Sequence, residues 1–191
     1  MPEAMHDRGR FWTPAPDWRA ASLEGEGWRA RRIHGLGQTL VSGDLDAARA
    51  ALAPGAGEVG LWGVAGEGAG DGAYAARIAR DRALLVTPSP LAAAPGWRDG
   101  FAVSPCDDLY AAVEISGPAM PQLVAEGTAA DLEAGSRSAA VLFSGVSCLL
   151  YRAGPERARL HVESPFAAYI WTWLHGCVGR APNRGATLQG A

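Results

Sequence analysis

Apolar and polar positions change period several times along this chain, and the changes mark its elements. Residues 36–42 alternate as a strand, and 44–53 place Leu45, Ala48 and Leu52 on one helical face. A strand over 58–65 follows. Residues 73–78 and 82–87 predict a hairpin around Arg80-Asp81, and Ser89-Pro90 predicts a short helix, with serine as N-cap and proline in the first turn. Pro95-Gly96 ends that helix early. The second half runs as a strand at 109–116, a helix opened by Pro118, strands at 138–144, 147–152 and 158–163, and a helix from Ser164-Pro165 to about Val178. Each half is therefore strand, helix, strands, helix. That order puts helices on one face of a mostly antiparallel sheet, so the expected fold class is α+β.

A repeat links the halves. Arg82-Ala83-Leu84-Leu85-Val86-Thr87-Pro88-Ser89-Pro90-Leu91-Ala92-Ala93 returns 75 positions later as Arg157-Ala158-Arg159-Leu160-His161-Val162-Glu163-Ser164-Pro165-Phe166-Ala167-Ala168. Val41-Ser42-Gly43 and Ile115-Ser116-Gly117 echo each other at an offset of 74. Two matches at nearly one offset indicate a duplicated unit, with half-repeats at about 36–98 and 109–178 inside one domain over 29–178. Residues 1–28, with Pro2, Pro14, Pro16, Trp12, Trp18 and Trp28 and no steady period, read as an extended N-terminal arm, and 179–191 as a C-terminal tail. Tryptophans on an arm are costly to leave in water. Either the arm folds back or a partner covers it, and partner burial is favoured.

Composition narrows the chemistry. Hydrophobic residues make up 48% and charged residues 19% of the 191, which describes a globular chain. The formal charge of -3 gives no reason to expect nucleic acid or an anionic membrane as partner. Arg29, Arg31 and Arg32 read as a solvated strand face. All seventeen basic residues are arginine, so no lysine is present to form a Schiff base or complete a phosphate loop. Cys106, Cys148 and Cys177 are odd in number and widely spaced, which suits a reducing compartment, and no apolar run reaches membrane-spanning length. A cytoplasmic location is expected.

No motif stands up as a self-sufficient active site. Gly66-Glu67-Gly68-Ala69-Gly70-Asp71-Gly72 lacks the spacing of a dinucleotide loop, leads into a strand and carries two acids that would repel phosphate, so it reads as a hairpin loop. His161-Val162-Glu163 has the H-x-E spacing of zinc deaminases, but Leu109 stands where the second cysteine after Pro105-Cys106 is needed. His175 and Cys177 are two apart and share no helical face. Beside Cys106, the anions Asp107 and Asp108 should raise the thiol pKa, which argues against a nucleophile. No G-x-S-x-G elbow surrounds any serine. No catalytic, cofactor-binding or metal-ligating residue is therefore assigned. The last helix crowds Phe166, Tyr169, Ile170, Trp171, Trp173 and Leu174 into two and a half turns, with Phe166, Ile170 and Trp173 on one face and Tyr169 and Trp171 elsewhere. The expected subunit contacts are Trp12, Trp18, Tyr169 and Trp171.

From Asp107 to Leu174 the chain resembles the gamma subunit of heterotetrameric sarcosine oxidase. The resemblance rests on Ala112-Val113-Glu114-Ile115-Ser116-Gly117-Pro118, Leu123, Gly127, Asp131-Leu132, Leu149-Leu150-Tyr151-Arg152 and above all the segment from Leu160 to Leu174. Arg82-Ala83-Leu84-Leu85-Val86 extends it over about 35–175. The resemblance implies the duplicated fold of the aminomethyltransferase folate-binding domain. It also implies a non-catalytic role beside alpha, beta and delta subunits, in a complex that oxidatively demethylates sarcosine or a related N-methylated amine. The products would be formaldehyde or methylene-tetrahydrofolate, with hydrogen peroxide. FAD, FMN, NAD, tetrahydrofolate and zinc would then sit on the other subunits and none on this chain. The alternative is a free-standing folate-binding protein of the same superfamily, although the K-G-C-Y-x-G-Q-E type motif of one of its branches is absent.

Overall fold

The computed structural model describes residues 16–62 and 72–179. Within them lie twelve strands and three α-helices: β1 (Ser22–Gly25), β2 (Trp28–Ile33), β3 (Gly37–Gly43), α1 (Leu45–Leu52), β4 (Gly57–Val59), β5 (Tyr74–Ala79), β6 (Arg82–Thr87), β7 (Gly96–Arg98), β8 (Phe101–Pro105), β9 (Tyr110–Ser116), α2 (Met120–Gly127), β10 (Ala140–Phe143), β11 (Val146–Gly154), β12 (Arg157–Glu163) and α3 (Ala167–Gly176). The strands form two six-stranded sheets. One runs β1-β2-β9-β12-β11-β10, the other β7-β8-β3-β6-β5-β4. Every strand pairing is antiparallel except that of β4 with β5. The α+β class expected from the pattern is the class observed.

The two strand orders correspond position by position, and the hairpins are exchanged. Hairpin β1–β2 precedes β3 in sequence yet pairs with β9, whereas β7–β8 precedes β9 and pairs with β3. Gly43 and Gly117 mark the exchange. Both have positive φ, at 103° and 115°, and a Cβ on either would strike a carbonyl of the crossing hairpin's turn, Gly100 O or Gly27 O. Those same carbonyls accept the amides that enter the next helix, Asp44 N at 3.0 Å and Ala119 N at 2.9 Å. Trp28 and Phe101, each the first residue after its turn, are both buried.

Alternation along the strands builds four layers. Val41, Ala75, Ala83, Leu85, Phe101 and Val103 pack with Leu45 and Ala48 of α1 on the outside of one sheet. Ala111, Val113, Ile115, Leu150, Leu160 and Val162 do the same with Met120, Leu123 and Val124 of α2 and Ile170 and Leu174 of α3. The remaining faces meet each other, joined by Tyr74, Ala76, Leu84, Val86, Leu149 and Tyr151. Helix α1 begins at Asp44, whose carboxylate accepts from Asp46 N at 3.1 Å and Ala47 N at 3.0 Å. Asp44→Ala should lower the unfolding free energy by about 1 kcal/mol, read from urea denaturation.

Three expectations change. No helix follows Ser89-Pro90: the run to Pro95 is too short to nucleate one, Ala94 precedes a proline, and Leu91 and Ala93 pack against the core around α1 instead. Of the strand expected at 58–65, only Gly57–Val59 forms among the described residues, after which Leu61 bridges to Ser136; residues 63–65 lie outside the described ones. Within the stretch expected as an extended arm, β1 and the first residue of β2 form a paired hairpin, and the buried Trp28 packs in the core over α2 and α3. Trp12, the segment from Gly66 to Asp71 and residues 180–191 lie outside the described residues.

Candidate functional site

The faces that meet between the sheets carry the molecule's unusual chemistry. Strand β12 reads Arg157-Ala158-Arg159-Leu160-His161-Val162-Glu163, with its apolar members toward α2 and α3 and its polar members toward the other sheet. An amphipathic strand usually gives its polar side to water. Here the second sheet covers it, so Arg159 and His161 are buried together with Glu114, Gln38, Tyr74 and Tyr151. None of these polar groups is left without a partner.

The amide of Gln38 anchors one end. Its Nε2 donates to Asp107 O at 3.1 Å and Tyr110 O at 2.9 Å, so Oε1 is the atom facing His161 Nδ1, at 2.8 Å. An oxygen there can only accept, so Nδ1 carries the proton. Nε2 of the neutral ring must then accept, and it does so from the Tyr151 hydroxyl at 2.6 Å. Having donated its one proton, Tyr151 accepts from the Tyr74 hydroxyl at 2.5 Å. Tyr74 in turn accepts from Arg159 Nη1 at 3.1 Å. Every donor is thereby assigned, and the chain runs one way from Arg159 to Gln38.

Burial sets the charge states. His161 is held down to about 3, by burial first and then by the Arg159 cation. Burial pushes the Tyr74 and Tyr151 phenols up, Tyr151 far above its ordinary value. All three side chains are neutral at pH 7.

Arg159 is the junction to a second cluster. Register places Arg31, Glu114 and Arg159 side by side across β2, β9 and β12. Glu114, only 4% exposed, accepts from Arg31 Nη2 at 2.8 Å and Arg159 Nε at 3.4 Å, with Arg157 Nη1 at 3.9 Å. One buried carboxylate thus balances several guanidiniums, and its bonds cross three strands.

Sequence reading missed Gln38, Tyr74, Glu114, Tyr151 and Arg159 as a group, because most of their partners lie 45 to 123 positions apart and carry no spacing signal. The structure brings His161 and Glu163 to no shared ligand: His161 uses both ring nitrogens within the chain described, and Glu163 is exposed. Among the described residues no three His, Cys, Asp or Glu side chains gather as metal ligands would. No disulfide joins the cysteines. Cys106 is raised by burial, with Asp107 adding to it, and burial alone raises Cys148 to about 12. A cleft of about 270 Å³ lies elsewhere, between Trp62, Pro121, Ala125 and Leu132. Its Asp131 carboxylate already accepts from Glu133 N and Ala134 N.

The expected contact residues are placed unevenly. Trp18 meets Trp171 edge to face at 5.8 Å, with Arg32 stacked over it at 5.0 Å, so the two tryptophans cover each other. Trp171 points into the core with Ala167, Ile170 and Leu174, contrary to the face assigned from the sequence; Phe166 is 45% exposed and not on the buried face. Tyr169 is 51% exposed, its hydroxyl donating to Ser144 O at 2.9 Å.

Comparison with solved structures now places the architecture. The chain is similar in fold to a chain of heterotetrameric sarcosine oxidase. That structure is of the enzyme from Corynebacterium sp. U-96 in complex with pyrrole 2-carboxylate; the match has a TM-score of 0.60 and 17% identity, and covers 80% of this chain and 85% of the other. Coverage this even means two chains of comparable length. At that identity the likeness is one of fold. No family model and no curated protein matches the sequence. No helix among the described residues is long and apolar enough to cross a membrane.

Proposed function

We propose that this chain is a non-catalytic subunit of a heteromeric amine oxidase of the sarcosine oxidase type, in the place of the gamma chain beside alpha, beta and delta subunits. The observation that carries the reading is the fold likeness over 80% of the chain to one chain of such an assembly. The assembly would oxidatively demethylate sarcosine or a related N-methylated amine, giving formaldehyde or methylene-tetrahydrofolate as oxygen is reduced to hydrogen peroxide. FAD, FMN, NAD, tetrahydrofolate and zinc would belong to the other subunits. A scaffolding role suits a chain whose most elaborate polar cluster is consumed in joining its own two sheets. It also suits the outward side of α3 and its N-cap, where Phe166 and Tyr169, three apart, expose apolar surface.

Co-expression with the partner subunits, followed by size-exclusion chromatography and a peroxide-coupled amine oxidation assay, tests the reading. Co-elution with activity is expected, and a chain that stays monomeric beside its partners overturns it. Tight folate binding by the isolated chain in calorimetry would favour the free-standing folate binder instead. Phe166→Ala with Tyr169→Ala should weaken assembly at least about tenfold without unfolding the chain. Trp171→Ala and removal of residues 1–28 are poorer probes, since Trp171 is buried and the deletion takes away β1 and Trp28.

A further inference from the structure

The direction of the hydrogen-bond chain between the sheets has a consequence for how the sheets stay together. Suppose the His161 ring gained a second proton. Nε2–H would then donate to Tyr151, and the Tyr151 hydroxyl would have to turn and donate to Tyr74. The Tyr74 oxygen already accepts from Arg159, which cannot accept anything in return. Its two hydrogen-bond partners would both be donors, and its own O–H, buried between the sheets, would lose Tyr151 as its acceptor. The chain cannot run backwards, and the new positive charge would sit on the same strand face as Arg159.

We infer that this one-way chain is an acid-sensitive lock on the seam between the two sheets, closed while His161 is neutral and broken when that ring is protonated. Gln38 and Tyr74 belong to one sheet and His161, Tyr151 and Arg159 to the other, so the Tyr74 contacts that protonation sets in conflict cross the seam, while the Nδ1–H bond to Gln38 is kept. The titratable and charged groups around the ring are few. Arg159 comes from its own strand, Tyr151 from β11 and Tyr74 from β5. Glu114 and Tyr110 come from β9, with Glu114 occupied by arginines. Asp107 and Cys106 precede β9, and Asp107 is engaged through its carboxylate and carbonyl by Gln38. No carboxylate among these bonds the imidazole to favour its cation.

The linkage has a definite sign. Unfolded, the ring binds its proton near 6.5; folded, only near 3, so unfolding takes up a proton between those values and stability falls as pH drops through that window. Above 6.5 the contribution is complete.

Long-range nitrogen–proton NMR on the full chain should find His161 as the Nδ1–H tautomer, not titrating while the protein stays folded. Urea denaturation between pH 5.5 and 4 should show the unfolding constant of the natural chain rising about tenfold more for each unit by which the pH is lowered than that of His161→Gln. Arg159→Gln offers Tyr74 an acceptor and removes the charge, so His161 in the folded variant should bind its proton at least tenfold more tightly. An Nε2–H tautomer, titration of the folded ring above pH 5, or equal pH slopes in the natural chain and His161→Gln would each overturn the inference. Should either variant fail to fold, the NMR titration of the natural chain decides alone.

Discussion

Replacing Glu114 by alanine will destabilise the fold by about 3–5 kcal/mol, the cost of removing one partner from a buried ion pair. Glu114 lies on β9 at the centre of a sheet, and its carboxylate is what Arg159 faces from β12. Without it, Arg159 keeps its charge beside the Tyr74 hydroxyl with its main anion gone, and Arg31 and Arg157 repel it across the same face. Urea denaturation measures the loss. Arg31→Ala is the informative contrast. That side chain is 58% exposed and Arg159 and Arg157 still balance Glu114 without it, so the cost should stay within about 1 kcal/mol. Equal losses in the two variants would mean that the cluster is held by packing and not by charge.

The second large effect is expected at Gly117. Alanine there must hold a φ of 115°, a conformation that costs a residue with a Cβ about 1–3 kcal/mol, and the Cβ would also strike the backbone carbonyl of Gly27. Neither neighbour can move freely, because that carbonyl accepts from Ala119 N at the entry to α2. The sum should exceed about 3 kcal/mol or abolish folding at 37 °C. Gly145→Ala provides the reference. Its φ is 80°, but nothing lies within 4 Å of the position a Cβ would take, so only the left-handed conformation is penalised, about 1–2 kcal/mol. Melting temperatures of the two variants would show whether close approach of the exchanged hairpin, and not conformation alone, requires glycine.

Much of the fold was legible because its longer elements are locally consistent. Leu45, Ala48 and Leu52 with Asp44 before them specify α1, and the hairpin of β5 and β6 follows from alternation around Arg80-Asp81. What escaped was short or non-periodic. Strands β1 and β7 have four and three residues, too few for a period to register, and Trp97 on β7 is 69% exposed where a pattern would ask for burial. The polar cluster escaped for another reason. Arg157, Arg159, His161 and Glu163 alternate with apolar residues, and a sequence records that alternation in the same way whether the polar side meets water or a second sheet.

The sequence by itself determined the class of the fold and most of its elements, and it carried the echo between Arg82–Thr87 and Arg157–Glu163, since these depend on neighbours within a few positions. The glycines at 43 and 117 were visible as an echo, and their reason was not. Only the tertiary structure decided that the hairpins cross between the halves, that Trp171 turns inward against Trp18, and that Gln38 meets His161 across 123 positions. Contacts of that range are set by which faces pack together. That choice is made by the free energy of the whole assembled core, to which no single stretch of the chain holds the key.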